Sequence, residues 1–199
     1  MSHYFTAPTA AEKRRSIDVR FWDTDWRFST ANEVFSADGL DLGTGVLLRS
    51  AAPPADATRL LDLGCGWGVL AVALATACPG AVVDAVDVNP RALRLCADNA
   101  RAHRVGDRVR PLLPEDADPQ ARYDELWSNP PIRIGKQALH ELLLTWLPRL
   151  KPDGVARLVV GRNLGADSLQ RWLIEQGWDC QRTASAKGFR VFAVTRASD

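Results

Sequence analysis

From residue 58 onward, short apolar runs alternate with stretches of helical period. Val- and Leu-rich runs at 59–63, 81–87, 108–113, 122–128 and 154–161 predict strands, and the segments 67–77, 90–104, 136–149 and 166–176 predict helices. Strands that are apolar throughout, separated by helices, belong in a parallel sheet covered on both faces. The tail breaks this alternation. Residues 178–185 and 189–195 flank Ala186-Lys187-Gly188 and predict an antiparallel hairpin. Ahead of the alternating region, 16–22 and 26–30 predict a second hairpin about Asp23-Thr24-Asp25, and 43–52 a helix stopped by Pro53-Pro54. The expected fold is α/β, with helices on both faces of a seven-stranded, mostly parallel sheet. It carries a C-terminal antiparallel hairpin and a small N-terminal hairpin extension. At 199 residues one domain is expected, with 1–52 as hairpin and helix and 58–199 as the core.

Composition narrows the classes. A formal net charge of +1 gives no chain-wide field for nucleic acid, so any basic surface has to be local. Cys65, Cys78, Cys96 and Cys180 form no Cys-x-x-Cys pair, and His3, His103 and His140 have no ligand spacing to them, so no metal site is expected. Reduced, buried thiols, no signal-like N-terminus and no apolar run near 18 residues together predict a cytoplasmic protein without a membrane span. A monomer is favoured.

Two segments carry chemistry. Leu60 to Leu63 ends in Gly64-Cys65-Gly66-Trp67-Gly68, a glycine bend at the carboxyl end of the first core strand, where open α/β sheets bind ligands. Glycines there let the chain turn sharply and meet a ligand through its backbone. The spacing is Gly-x-Gly-x-Gly, which departs from the dinucleotide pattern. Asp87 closes the next strand, where a carboxylate can accept from both ribose hydroxyls; Asp87 or Asn89 can equally cap the helix opening at Pro90. Asp62 can face an ammonium or simply hold the turn. Glu115 and Asp116 either meet an adenine amino group or are solvated charge.

The second segment is Asn129-Pro130-Pro131-Ile132, after the fourth core strand. An exocyclic amine on an aromatic ring is a poor nucleophile because its lone pair is delocalised. The Asn129 carboxamide oxygen and the Pro130 carbonyl, on a stiff proline corner, can grip its two hydrogens and aim the lone pair. An activated methyl then needs neither metal nor strong base. The two segments together point to methyl transfer from S-adenosylmethionine to an amino nitrogen.

These motifs, with Val34-Phe35-Ser36, Asp41-Leu42-Gly43-Thr44 and the run Asn129 to Lys136, resemble the class I S-adenosylmethionine-dependent methyltransferases of the methyltransferase small domain group. That group includes ribosomal RNA guanine-N2 methyltransferases. The resemblance implies a Rossmann-like fold, cofactor contacts at Gly64, Gly66, Gly68 and Asp87, and a cofactor pocket lined by Asp41 to Thr44; with the residues read above, the expected cofactor set is Thr44, Asp62, Gly64, Gly66, Gly68, Asp87, Asn89, Glu115, Asp116 and Asn129. It implies a catalytic motif at Asn129, Pro130, Pro131 and Ile132, and RNA as partner, either ribosomal RNA or the small ribosomal subunit. Ile132 stands where the group's motif carries a base-stacking aromatic residue, so stacking is expected from Phe35 or Tyr4. Arg133 and Lys136 are the candidate phosphate contacts, with Arg14, Arg15 and Arg20 as further basic residues. Arg101, Arg104, Arg108 and Arg110 are expected on a solvated face, and Trp22 and Trp26 in the core. The competing acceptors are a protein side-chain amide or a small amine; a non-catalytic cofactor-binding module is the alternative of a different class.

Overall fold

The computed structural model describes residues 11–197, apart from the side chain of Arg133. Tyr4 lies outside the described residues. The chain opens with a hairpin, β1 (Arg14–Phe21) and β2 (Thr24–Ala31). Its turn differs from the expected one. Phe21 pairs with Thr24, so the loop is only Trp22-Asp23, and both residues are left-handed, at φ 47° and 53°. Asp tolerates that conformation, whereas Trp22 is held in it by tertiary contacts. Its indole N–H donates to the Ala51 carbonyl and its ring meets Trp127 edge-on at 6.2 Å.

Helix α1 (Leu42–Ser50) is capped by Asp41, whose carboxylate accepts from Thr44 N. The core then runs β3 (Arg59–Leu63), α2 (Val69–Ala77), β4 (Val82–Val86), α3 (Pro90–Ala102), β5 (Val109–Leu112) and β6 (Tyr123–Ser128). It continues through α4 (Lys136–Trp146), β7 (Leu150–Gly161), α5 (Ala166–Glu175), β8 (Trp178–Ala186) and β9 (Phe189–Arg196). Seven strands form one sheet in the order β5-β4-β3-β6-β7-β9-β8, parallel from β3 to β7, with β9 antiparallel to both neighbours. The expected α/β architecture, with both hairpins, is present.

Alternation along the strands splits the core into two layers. Leu60 and Val83 pack with α1, α2, α3 and the N-terminal hairpin; Leu61, Leu63 and Leu126 pack with α4 and α5. Asn99 on α3 accepts from Ser29 N–H through its Oδ1 and donates to the Ser29 carbonyl through its Nδ2, fastening the hairpin to the first layer. Trp26 is buried there, stacked on Phe21 at 4.9 Å, and Trp22 packs against the same cluster.

Two of the arginines expected on a solvated face have structural work. Arg108 donates to the Ala75 and Cys78 carbonyls at the open end of α2, and Arg110 pairs with buried Asp84 at 2.7 Å. Arg59 and the Tyr123 hydroxyl share that carboxylate. A buried acid needs such partners, and the sheet supplies them from both neighbouring strands. Among the described residues, no helix is long and apolar enough to cross a membrane.

Candidate active site

Sheet order explains why the two motifs meet. From β3 the chain steps outward to β4 and β5, then returns to place β6 on the other side of β3. The carboxyl ends of β3 and β6 therefore flank the topological switch point, where the following loops diverge and leave a crevice. The glycine bend leaves β3, and Asn129 leaves β6. Ser128 ties them directly: its hydroxyl donates to the Leu63 carbonyl at 2.6 Å.

All three bend glycines are left-handed, at φ 77°, 53° and 90°, but for two different reasons. A Cβ on Gly64 or Gly66 would meet nothing within 4 Å, so these positions keep open space beside the backbone. On Gly68 it would lie 2.5 Å from Cys96 Sγ, so this glycine lets α2 start hard against α3. The cleft is lined by Phe35, Asp41, Thr44, Asp62, Gly64, Gly66 and Asn129, among others.

Asp62 is fully buried at its base. One carboxylate oxygen accepts from Ala71 N at 2.9 Å; the other has no hydrogen-bond partner. Burial pushes its carboxyl up to about 8; the Ala71 N–H opposes this and the nearby Asp87 charge reinforces it. An orphaned, buried acceptor in a cleft is suited to a cationic partner. With the open glycine backbone beside it, these residues fit the amino-acid end of S-adenosylmethionine.

Asp87 follows β4 on the next strand end. Its oxygens accept from Gly66 N and Asn89 N, both at 2.9 Å, and burial pushes its carboxyl above the usual range against those bonds. With Val88 N–H as a further backbone donor, these bonds leave part of the carboxylate's acceptor capacity open. Asn89 is buried and fully engaged. Its oxygen caps α3 at Arg91 N and Ala92 N, while its amide nitrogen donates to the Glu33 carbonyl. Glu115 and Asp116 lie exposed on the 3-10 turn Pro114–Asp116, beyond β5. The structure thus groups Thr44, Asp62, Gly64, Gly66 and Asn129 in one cleft and sets Asp87 at its flank. Gly68, Asn89, Glu115 and Asp116 stand outside its lining.

Asn129 is oriented by a contact that motif spacing does not reveal. Its amide nitrogen donates to Asp41 Oδ2 at 2.6 Å and to Thr44 Oγ1 at 3.0 Å. A carboxylate only accepts, so Asp41 dictates which end of the carboxamide faces it and turns Oδ1 the other way. The family resemblance singles out the run Asp41 to Thr44, but no spacing shows its link to Asn129, because that bond spans 88 residues. Pro130 is buried and its carbonyl accepts from Ile132 N at 2.8 Å, closing a tight turn and keeping its second lone pair. Ile132 packs half-buried against the α4–α5 layer. Phe35 is 46% exposed and lines the cleft. Arg133 lies in the 3-10 turn Ile132–Ile134, its side chain outside the described atoms, and Lys136 is exposed at the start of α4.

Comparisons with known proteins bear on the family and the fold. The family model "Methyltransferase small domain" matches residues 25–193. The chain is 27% identical over 197 residues to the uncharacterized protein YbxB of Bacillus subtilis, covering 98% of each. It is 34% identical over 137 residues to ribosomal RNA small subunit methyltransferase C of Shewanella denitrificans, covering 66% of this chain but only 38% of that one. Among solved structures it superposes on the T. thermophilus 16S rRNA N2 methyltransferase RsmC in complex with AdoMet and guanosine. That match has a TM-score of 0.76 and 23% identity, covering 95% of this chain and 52% of that one. The chain belongs to the methyltransferase small domain family of class I S-adenosylmethionine-dependent methyltransferases.

Proposed function

We propose that the chain methylates an exocyclic amino group, guanine N2 in ribosomal RNA, with S-adenosylmethionine as donor. The observation that carries this reading is the Asn129 carboxamide. Asp41 and Thr44 hold it by its nitrogen, so its oxygen is presented as an acceptor beside the glycine bend. When bound, the cofactor supplies a methyl group activated by its sulfonium. Asp62 Oδ1 receives the ammonium, Gly64 and Gly66 give backbone access, and Asp87 offers its remaining acceptor sites to ribose hydroxyls. Asn129 Oδ1 and the free lone pair of the Pro130 carbonyl accept hydrogen bonds from the two amine N–H groups, which directs the nitrogen lone pair at the methyl, and one of those protons is lost to water once the nitrogen is methylated. Preorganised acceptors of this kind act through position and electrostatics, needing no reorganisation as charge develops. Phe35 supplies the apolar face that Ile132, turned onto the core, does not. Single-stranded or extruded guanine is the form in which that edge is reachable.

The test is transfer of labelled methyl groups to fractionated RNA, protein and small metabolites, followed by nucleoside analysis. Label in N2-methylguanosine supports the reading. Label confined to protein or metabolites moves the acceptor there, and cofactor binding without transfer to any fraction removes the catalytic assignment.

A further inference from the structure

Cationic side chains are distributed unevenly over the surface. In the N-terminal hairpin, the arginines of β1 and β2 all face carboxylates: Arg14 meets Glu12 and Asp98, Arg15 meets Asp38, Arg20 meets Asp25, and Arg27 meets Asp18. That neutralises three residues whose charge had suggested RNA contact.

The opposite holds at the tip of the C-terminal hairpin. Ala186 pairs with Phe189, so the turn is the two residues Lys187-Gly188, both left-handed, and it thrusts Lys187 outward. Arg162, which follows β7, donates its backbone N–H to the Gly188 carbonyl at 2.8 Å and so brings a second cation to the same place. Arg182 on β8 adds a third. These three line an open groove of about 650 Å³. All three are exposed, and among the described residues none of them makes an ion pair; the acid at this end, Asp167, is taken by Arg190. Nothing between Arg182 and Arg190 carries negative charge.

The groove also lies at the right edge of the sheet. Gly161 ends β7 at the carboxyl edge shared with Gly64 and Asn129, and it pairs with Phe189. The Phe189 ring reaches α1, where a Cβ on Gly43 would come within 2.8 Å of it. Gly43 sits between Asp41 and Thr44, the two residues that orient Asn129. One layer of side chains therefore separates the basic groove from the catalytic corner.

We propose that this groove, framed by Arg162, Arg182 and Lys187, binds the phosphate backbone of single-stranded RNA and feeds the strand toward Asn129. The inference rests on the RNA-methylating reading above and identifies where that substrate docks. A polyanion is the class of ligand that fits three unpaired cations around an open, polar groove on the same edge of the sheet as the reacting site. Backbone contacts position the strand, while selection of the base stays in the cleft.

The experiment compares the full chain with Arg162→Ala/Arg182→Ala/Lys187→Ala for binding of a labelled, unstructured RNA oligomer across a potassium chloride series. Loss of three phosphate contacts should reduce the slope of log affinity against log salt by about 2, at roughly 0.7 per phosphate for a single strand. KM for RNA should rise, kcat at saturation hold, and affinity for S-adenosylhomocysteine stay unchanged, which also verifies folding. Arg162→Lys/Arg182→Lys/Lys187→Arg should keep the slope, and so should Arg14→Ala/Arg15→Ala/Arg20→Ala. If wild type binds RNA and the triple alanine variant shows the same slope and KM, the docking site is overturned and the RNA reading survives. If wild type binds no RNA, or binds only acidic protein at this groove, both fall.

Discussion

Asp62 makes the assignment of the cofactor's amino-acid end measurable through protons. With its carboxyl pushed up to about 8, roughly nine-tenths of the molecules carry a proton there at pH 7 before ligand arrives. An ammonium placed at the orphaned oxygen favours the ionised form, so the proton must leave on binding. The ligand's own α-amino group, with an ordinary pKa near 7.8, takes up a small fraction at the same pH. The net release expected at pH 7 is about 0.8 proton, passing through zero near pH 8 and becoming uptake above it. Affinity should therefore peak near pH 8 and fall by nearly tenfold per pH unit toward pH 6. Calorimetry in two buffers of different ionisation enthalpy counts these protons directly. Asp62→Asn keeps an acceptor for Ala71 N–H but loses the charge. It should abolish the acid-side release and weaken binding by about ten- to a hundredfold, the value of a charge-assisted hydrogen bond. The unliganded protein gives an independent sign. A carboxyl whose pKa is raised by folding contributes most below its unfolded value and loses that contribution as pH rises through about 8. Asp62→Asn should accordingly be more stable than wild type at pH 9, with little difference at pH 4. Unchanged proton release in the variant, or a flat affinity profile between pH 6 and 8, would refute the placement of the ammonium on Asp62.

Further outcomes test the remaining parts. Asn129→Ala should lower kcat about a hundredfold, or 2–4 kcal/mol, with cofactor affinity changed only slightly; a variant that loses binding while turnover at saturation holds would make Asn129 a ground-state contact. Thr44→Val leaves the Asp41 bond in place and should reduce kcat less than Asn129→Ala does, which steady-state kinetics on the two variants can rank. Gly68→Ala combines a left-handed backbone with a Cβ 2.5 Å from Cys96 Sγ and should lose about 2–4 kcal/mol in denaturant unfolding. Gly64→Ala meets open space, so its stability loss should be only about 1–2 kcal/mol while cofactor binding suffers more; equal behaviour of the two would refute the division of roles. Asp124, held by Thr58 and Arg59 N–H groups and by Lys151, has a carboxyl lowered to about 2. A depressed carboxyl contributes above its unfolded value and loses that contribution as pH falls toward 2, so Asp124→Asn should flatten the acid limb of stability between pH 4 and 2.

What the sequence made legible follows from the range over which each signal acts. Strand and helix periods are local, and the core alternation from Arg59 to Gly161 is visible in them, as is the hairpin from Trp178 to Arg196 that closes the sheet. The glycine bend and the Asn-Pro-Pro corner are also local, and the switch-point rule brings them to one crevice without further information. Signals that need a partner far along the chain were read less well. The N-terminal turn falls at Trp22-Asp23 because Ala51 and Trp127 hold the indole, and no Asn-Gly pair advertises it. Arg108 and Arg110 look solvated until α2 and Asp84 arrive beside them. Gly64 and Gly68 look alike in a repeating motif, and only the position of Cys96 shows that one faces the cleft and the other packs a helix. Asn89 and Asp87 present the same choice of cap or ligand, resolved when Asn89 spends both ends of its amide on the helix and the Glu33 carbonyl.

Charge shows most clearly why a chain-level number is a poor guide to partners. The formal net charge of +1 is the residue of many internal pairings, several of them buried or half-buried, such as Arg59 and Arg110 on Asp84 and Arg157 on Glu125. Each such pair removes a cation from the surface field at distances beyond about 10 Å, where salt has already screened most of what remains. A polyanion approaching the molecule responds to the cations left over, and their position is set by where acids are missing. Along the segment from Arg182 to Arg190 they are missing altogether, at the edge of the sheet that carries Asn129. On the docking proposal, a near-neutral chain can in this way hold a nucleic-acid strand at one local site, while the N-terminal hairpin, whose arginines are matched to carboxylates, offers it none.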